Sequence, residues 1–438
     1  MAKLKLITFG CQANEADSEK IAGVLAEEGF DLTETAEEAD LILLNTCSIR
    51  EKAEHKVYSL LGTFQKLKAQ NPRLTIGLCG CLAQQEGERL KARFPYLDLV
   101  AGPGAMIYRI PHLLKDGSNG PLLPRPKEPL PLYTHSPRPR RESTLKAWVS
   151  IMEGCNYLCT FCVVPYTRGP ERSRPPADIL AEVEELLRVG YKEITLLGQT
   201  VNAYGKNLRP RTRFSDLLKA IDTLAGGAVR VRFTSSHPKD FTPDLIEAIA
   251  SLKSVCEHVH LPVQAGSDQV LKGMGRLYTR KDYLVKARAL REVVPDIALS
   301  TDLIVGFPAE SEEDFHETLS LLEEVRFDGL FAFKYSPRPL TPAAIYPNQL
   351  PEEVKTARLH LLLKRHDQIA LEQNTERVGT IEEVLVEEGP NTKVQSSATG
   401  RTRRNQIVHF SEEYLPPGLT VSAVITEGYS HYLKAKRR

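Results

Sequence analysis

Twice along this chain, short apolar runs alternate with amphipathic helical stretches, and a proline-dense segment separates the two series. In the first series KLKLITF alternates up to Gly10, DLILLN and LTIGLCG are unbroken apolar runs, and YLDLV is a fourth. DSEKIAGVLAEEG lies among them, with Ile21, Val24 and Leu25 on one helical face. Strands that alternate with helices pair in parallel, and the helices cover both sheet faces. An α/β domain over residues 1–116 is therefore expected, with any ligand outside the carboxyl ends of its strands. Residues 117–142, GSNGPLLPRPKEPLPLYTHSPRPRRE, have no periodicity and read as a semi-extended linker.

The second series opens at Ala147, with AWVSIM, EITLLG, VRVRFTS, HVHLPV, IALSTDLIVG and GLFAFKYS as strands. PADILAEVEELLRVG, TPDLIEAIASLK and SEEDFHETLSLLEEVR are helices between them. Six β/α units predict a partial parallel (β/α)6 barrel over residues 143–373, with its chemistry at the carboxyl-terminal mouth. A long amphipathic helix, PEEVKTARLHLLLKRHDQIALEQNTER, leads out of it. GTIEEVLVEEG, TKVQSSATG, RNQIVHF and LTVSAVITEGYSHYLKAK then suit a small antiparallel β-barrel over residues 374–438, a shape that often binds RNA.

Eight cysteines are spread over 438 residues. The first ten residues lack the apolar region of a signal peptide, and no apolar run approaches the roughly 18 residues of a transmembrane helix. A cytoplasmic, non-membrane protein with reduced thiols is expected. Cys155, Cys159 and Cys162 stand in a C-x3-C-x2-C loop directly after the first barrel strand. Three thiolates on one short loop can hold three irons of a cubane and leave the fourth without a protein ligand. Structural zinc is the competing reading, but it wants four closed ligands, and no further Cys or His follows until His237. Cys11, Cys47 and Cys81 each follow a strand of the first domain. Free cysteines are usually small buried residues; three of them at three strand ends point instead to a second three-thiolate site. Cys79 and Cys256 read as core.

The formal net charge is +1, so any hold on nucleic acid must come from local patches. Arg168, Arg172 and Arg174 stand beside the cysteine loop, where a guanidinium fork suits phosphate as well as solvent. From residue 391 to the end, eight Lys and Arg face three Glu, with Arg401, Arg403 and Arg404 at one turn and Tyr429 and Tyr432 in the tail. Clustered arginines with aromatics on a small β-barrel are what backbone-tracking RNA binders use.

The cysteine loop resembles the signature of the radical S-adenosylmethionine (SAM) enzymes, and the last segment resembles a TRAM domain. With GCQANEADSE, NTCSIREKAEHKV, GCLAQQ, CTFCVVPYTRGPERSRP, HLPVQAGS, KYSPRP and GRTRRNQIVHF, the whole chain resembles the methylthiotransferase family of radical SAM enzymes, in its tRNA-modifying branch. That resemblance implies two 4Fe-4S clusters, one on Cys155, Cys159 and Cys162 with SAM, and an auxiliary one on Cys11, Cys47 and Cys81. It implies SAM as both radical source and methyl donor, and candidate SAM contacts at Phe161, Gln199, Gln264 and Asp302. RNA contacts would fall on Arg168, Arg401, Arg403 and Arg404. The implied reaction adds a methylthio group to carbon 2 of N6-dimethylallyladenosine beside the anticodon (adenosine 37) of a tRNA anticodon stem-loop. It needs a reductant protein that supplies electrons and a sulfur source. The C–H bond broken is beyond any protein base, so no side chain is assigned as acid or base. Two departures stand out: Leu340 where Gly is expected, and Thr200 where Asn is expected, neither expected to touch a ligand. Other substrates remain open within the family, namely threonylcarbamoyladenosine of tRNA or a ribosomal-protein aspartate. Outside it stands a zinc-holding, non-catalytic RNA-binding protein.

Overall fold

In the amino-terminal part, six parallel strands form one sheet in the order β2-β1-β3-β4-β5-β6. They are β1 (Ala2–Phe9), β2 (Phe30–Leu32), β3 (Leu41–Thr46), β4 (Thr75–Gly80), β5 (Leu99–Ala101) and β6 (Pro121–Leu122). The computed structural model describes residues 1–48, 51–116, 121–122, 138–390, 396–411 and 414–438. Most of the expected linker thus lies outside the described residues, and the described pair Pro121–Leu122 adds a strand to the sheet. Every residue of β3 is buried, as a strand covered on both faces requires. One apolar layer packs Ile21, Leu25, Met106 and Ile110 against the sheet, and another packs Val57, Leu61, Phe64 and Leu82 on the opposite face. Helix α1 (Gln12–Glu27) follows β1 and α2 (Glu51–Gln70) follows β3. The chain winds one way from β1 and the other way from β3, so a switch-point crevice opens at their carboxyl ends.

The central part is a partial barrel. Strands β7 (Lys146–Ser150), β10 (Glu193–Leu197) and β11 (Arg230–Phe233) form one parallel trio, and β12 (His258–His260), β13 (Ala298–Val305) and β14 (Gly329–Lys334) form another. A bridge between Val231 and Val255 joins them, in the strand order of the chain. Alternation decides the faces: Ala147, Val149, Ile194, Val231, Val259, Leu299 and Leu303 join the largest apolar cluster, under the helices. Their neighbours Trp148, Thr195, Arg232, His260 and Asp302 point to the concave side. The short β8 (Met152–Glu153) and β9 (Arg172–Ser173) pair antiparallel beside the first trio.

Helix Glu352–Glu376 leads into a closed five-stranded barrel of β15 (Ile381–Glu388), β16 (Ala398–Thr402), β17 (Ile407–Phe410), β18 (Thr420–Gly428) and β19 (Leu433–Arg437). Its pairs are antiparallel except β17 with β19, which run parallel. This barrel docks on the amino-terminal ends of the central strands, away from the mouth. Arg230 and Arg232, on β11, donate to the carbonyls of Arg401, Thr402 and Arg403 at 2.7–2.8 Å, and Lys146 reaches Glu387 at 2.8 Å.

Candidate active site

The loop that carries Cys155, Cys159 and Cys162 is closed at its base. Met152 pairs with Ser173 and Glu153 with Arg172, while the Cys155 amide donates to the Gly169 carbonyl at 3.1 Å. Gly154 has φ +74°, and a Cβ there would lie 2.1 Å from the Pro170 carbonyl oxygen, so only glycine lets the two loop ends meet. Farther out, the Thr160 amide donates to the Met274 carbonyl at 2.9 Å and the Thr160 carbonyl accepts from Ala343 at 2.9 Å. The loop is thereby laid from β7 across to the segments that follow β12 and β14. The short helix Val164–Arg168 then turns the chain back toward the amino-terminal sheet, where it packs on α3 (Cys81–Glu86).

Three strand ends of that sheet set the other trio. Cys11 precedes α1, the Cys47 amide donates to the Phe9 carbonyl at 2.8 Å, and Cys81 opens α3. Asn14 and Asn45, both fully buried, tie these ends together: Asn14 Nδ2 donates to Asn45 Oδ1 at 3.1 Å, and Asn45 Nδ2 donates to the Asn14 carbonyl at 2.9 Å. Gly80 has φ +93°, and a Cβ there would meet Asn45 Oδ1 at 2.4 Å. A hydrogen bond from Cys47, with the charge of Arg168 helping, lowers the Cys11 thiol to about 5. Burial pushes Cys81 up, against the pull of Arg168.

One side chain joins the two sites. Arg168, six residues after Cys162, donates to Asp17 of α1 at 2.7 Å; the side chains are 6% and 3% exposed. The charge of the same guanidinium acts on Cys81 and Cys11, pulling both thiols down. At the loop, Arg276 donates to Cys159 Sγ at 3.3 Å and Thr200 Oγ1 lies 3.3 Å from Cys155 Sγ. Burial holds the Cys162 thiol up at about 12. None of the eight cysteines is in a disulfide. Among the described residues no three metal-binding side chains crowd a single-ion position, and a cubane spaces its thiolates more widely than one ion does. Two trios of thiols, one with Arg276 donating to Cys159 and the other under the charge of buried Arg168, suit thiolate-held clusters whose net negative charge calls for a buried cation.

The remaining expected site residues separate into two groups. Near the mouth, Gln199 Oε1 accepts from the Gly154 amide at 2.6 Å, which ties it to the cysteine loop. Gln264, buried at φ +77°, bridges to Leu303. Asp302 faces the concave side within β13, 3.3 Å from His260 Nε2, and Phe161 packs half-buried on the barrel core. The arginines proposed for RNA all have carboxylate partners within the protein. Arg168 is buried between domains. Arg403 donates to Glu257 at 2.7 Å, and Arg404 pairs with Asp328 at 2.6 Å and with Asp296. Arg401 lies 3.5 Å from Glu387. These side chains neutralise carboxylates at the docked end of the barrel, where a charge facing protein needs a partner. Arg174 is likewise structural, donating to the Ser150 carbonyl and to Glu182, both at 2.7 Å. Thr200, expected to miss any ligand, touches Cys155.

Three features escaped the sequence reading. Asn14 and Asn45 gave a signal in GCQAN and LLNTC, polar residues set beside cysteines at strand ends. Arg276, in GMGRLY, gave none, because only the fold brings it to Cys159. The loop after β10, GKNLRPRTR, carries exposed Lys206, Arg209, Arg211 and Arg213. Lys206 Nζ lies 5.9 Å from the ring centre of Tyr157, within the cysteine loop. Its charge density was legible in the sequence.

A three-thiol loop at the mouth of a partial parallel barrel defines the class, and residues 149–322 match the Radical SAM superfamily. Residues 3–102 match a family described as "Uncharacterized protein family UPF0004". The fold is similar to that of the radical S-adenosylmethionine methyltransferase TsrM from Kitasatospora setae, with TM-score 0.58 and 15% identity over 79% of this chain and 75% of that one. The tRNA-2-methylthio-N(6)-dimethylallyladenosine synthase of Desulforamulus reducens is 48% identical over 99% of this chain and 95% of its own length. That of Syntrophobacter fumaroxidans is 49% identical over 98% and 94%. The chain belongs to the family of tRNA-2-methylthio-N(6)-dimethylallyladenosine synthases.

Proposed function

We propose that this protein is a methylthiotransferase that places a methylthio group on carbon 2 of N6-dimethylallyladenosine, adenosine 37, beside the anticodon of tRNA. The observation that carries this reading is the pair of three-cysteine sites joined through Arg168. One such site suffices for a generic radical generator, and two are needed to combine carbon activation with sulfur delivery. Cys155, Cys159 and Cys162 would hold one 4Fe-4S cluster with SAM, and Cys11, Cys47 and Cys81 the auxiliary one. When bound, these groups supply the one-electron cleavage, the sulfur and the methyl group that no side chain can provide.

The chain's own residues do the positioning. Gly154, Gln199 and Thr160 fix the cysteine loop over the strand ends, and Asn14 and Asn45 fix the other three thiols. Arg276 donates to Cys159, and Arg168 places positive charge beside Cys11 and Cys81, which favours the thiolate form of those two. Phe161, Gln264 and Asp302 sit where a SAM held at the mouth would meet the barrel. Phosphate binding falls to the exposed Arg209 and Arg211, in place of the arginines held in ion pairs. The reading includes a cytoplasmic site of action, a reductant protein and a sulfur source. Among the described residues no helix is long and apolar enough to cross a membrane.

Mass analysis of tRNA from a strain lacking this protein tests the assignment. 2-Methylthio-N6-dimethylallyladenosine should vanish, leaving N6-dimethylallyladenosine. An undiminished methylthio nucleoside would refute it.

A further inference from the structure

The last barrel strand carries two large aromatics on its uncovered face. In β14, Leu330 and Ala332 pack against the apolar core, whereas Phe331 and Phe333 are 56% and 40% exposed. Residues two apart on a strand share a face, so the two rings form one apolar wall on the concave side of the barrel. Their neighbours place it there. The Phe331 ring meets the edge of His260, with centres 5.7 Å apart and planes at 80°. His260 in turn lies 3.0 Å from Ser300 Oγ and 3.3 Å from Asp302 Oδ1. Phe331 stands opposite Asp302 across the β13–β14 ladder, and Phe333 stands opposite Ile304, one step nearer the mouth. A wall of two exposed rings thus adjoins a row of hydrogen-bonding groups, all below the loop that bears Cys155, Cys159 and Cys162.

Two phenylalanines on the concave face of an enzyme barrel are poorly placed for solvent and are left exposed by the described residues, which marks a ligand surface. The relatives' own name gives the shape of the occupant: an adenine whose N6 carries a branched five-carbon hydrocarbon. We infer that Phe331 and Phe333 bind the dimethylallyl group of the target nucleoside, and that the His260–Ser300 pair faces the polar edge of its base. The inference rests on the proposed function and adds the element that selects the prenylated nucleoside. An apolar wall gains from a hydrocarbon and loses with a charged, polar N6 substituent such as threonylcarbamoyl, whose carboxylate would be desolvated against the rings.

The test uses the anaerobically reconstituted holoenzyme with SAM and no reductant, so that binding is read without turnover. Two anticodon stem-loop RNAs of one sequence are compared, one with N6-dimethylallyladenosine at the target position and one with adenosine. The wild type should prefer the prenylated RNA. In Phe331→Ala and Phe333→Ala the ratio of the two Kd values should fall by roughly tenfold or more, the scale on which an apolar specificity pocket discriminates. Phe333→Leu, which keeps an apolar group, should retain part of the preference. Iron content confirms that each variant is folded. A ratio unchanged in both alanine variants overturns the inference alone. A wild type with no preference, and no methylthio product when reductant is supplied, removes the proposed function and this inference with it.

Discussion

Arg168 is the residue on which the two halves of the site depend. Its partner Asp17 is 3% exposed, so removal of the guanidinium leaves a carboxylate without its ion-pair partner inside the protein. Arg168→Gln should cost about 3–5 kcal/mol, read as a lower midpoint in denaturant for the anaerobic protein, and should reduce the iron retained at the amino-terminal trio. An unaltered midpoint would mean that the pair is dispensable. Leu340 offers the opposite case. It is 60% exposed and holds φ +71°, a left-handed conformation that burdens a branched-chain residue and not glycine. Its sequence context already singled it out as a place for Gly. Leu340→Gly should raise stability by about 1 kcal/mol, and a lower melting temperature would contradict the strain argument.

Among the elements, α1 does the most, since it is preceded by Cys11 and carries Asp17, Glu19 and Lys20 to the barrel. Lys20 Nζ donates to Ser150 Oγ at 2.9 Å across the domain boundary. Burial, only partly offset by Arg141 3.7 Å away, lifts the Glu19 carboxyl to about 7. Between the ordinary carboxylate range and pH 7 the folded protein therefore holds a proton that the unfolded chain has released. Stability should fall as pH rises through that window, and Glu19→Gln should flatten the slope in denaturant titrations at pH 5 and pH 7. An equal slope in the variant would assign the effect elsewhere. The main strands and helices were legible in the sequence, because alternation and continuous apolar runs report which faces are buried. β2 was not, since FDL is three half-buried residues at a sheet edge. Nor was the parallel β17–β19 pair, because strand direction in a small barrel is set by closure and not by local pattern.

For the whole molecule, the cysteine trios were readable because ligand chemistry dictates residue type and strand ends dictate place. The arginines were not, because a guanidinium serves a phosphate or a buried carboxylate equally well, and only the packed domains reveal Glu257, Asp296 and Asp328 opposite Arg403 and Arg404. RNA affinity should accordingly fall steeply with salt, and Arg209→Glu with Arg211→Glu should lower that slope, by roughly one unit for each phosphate no longer neutralised. Arg404→Ala should act on unfolding more than on the salt slope. A salt slope that responds to Arg404 and ignores residues 209 and 211 would reverse this division.

The two-site account is tested most directly by the Cys11→Ala, Cys47→Ala, Cys81→Ala triple variant, with iron, SAM cleavage and methylthio nucleoside measured on one anaerobic preparation. The wild type should hold about eight irons and the variant about four; the variant should still cleave SAM under reducing conditions but yield no methylthio nucleoside. Full iron content in the variant, or methylthio product at the wild-type level, would contradict it.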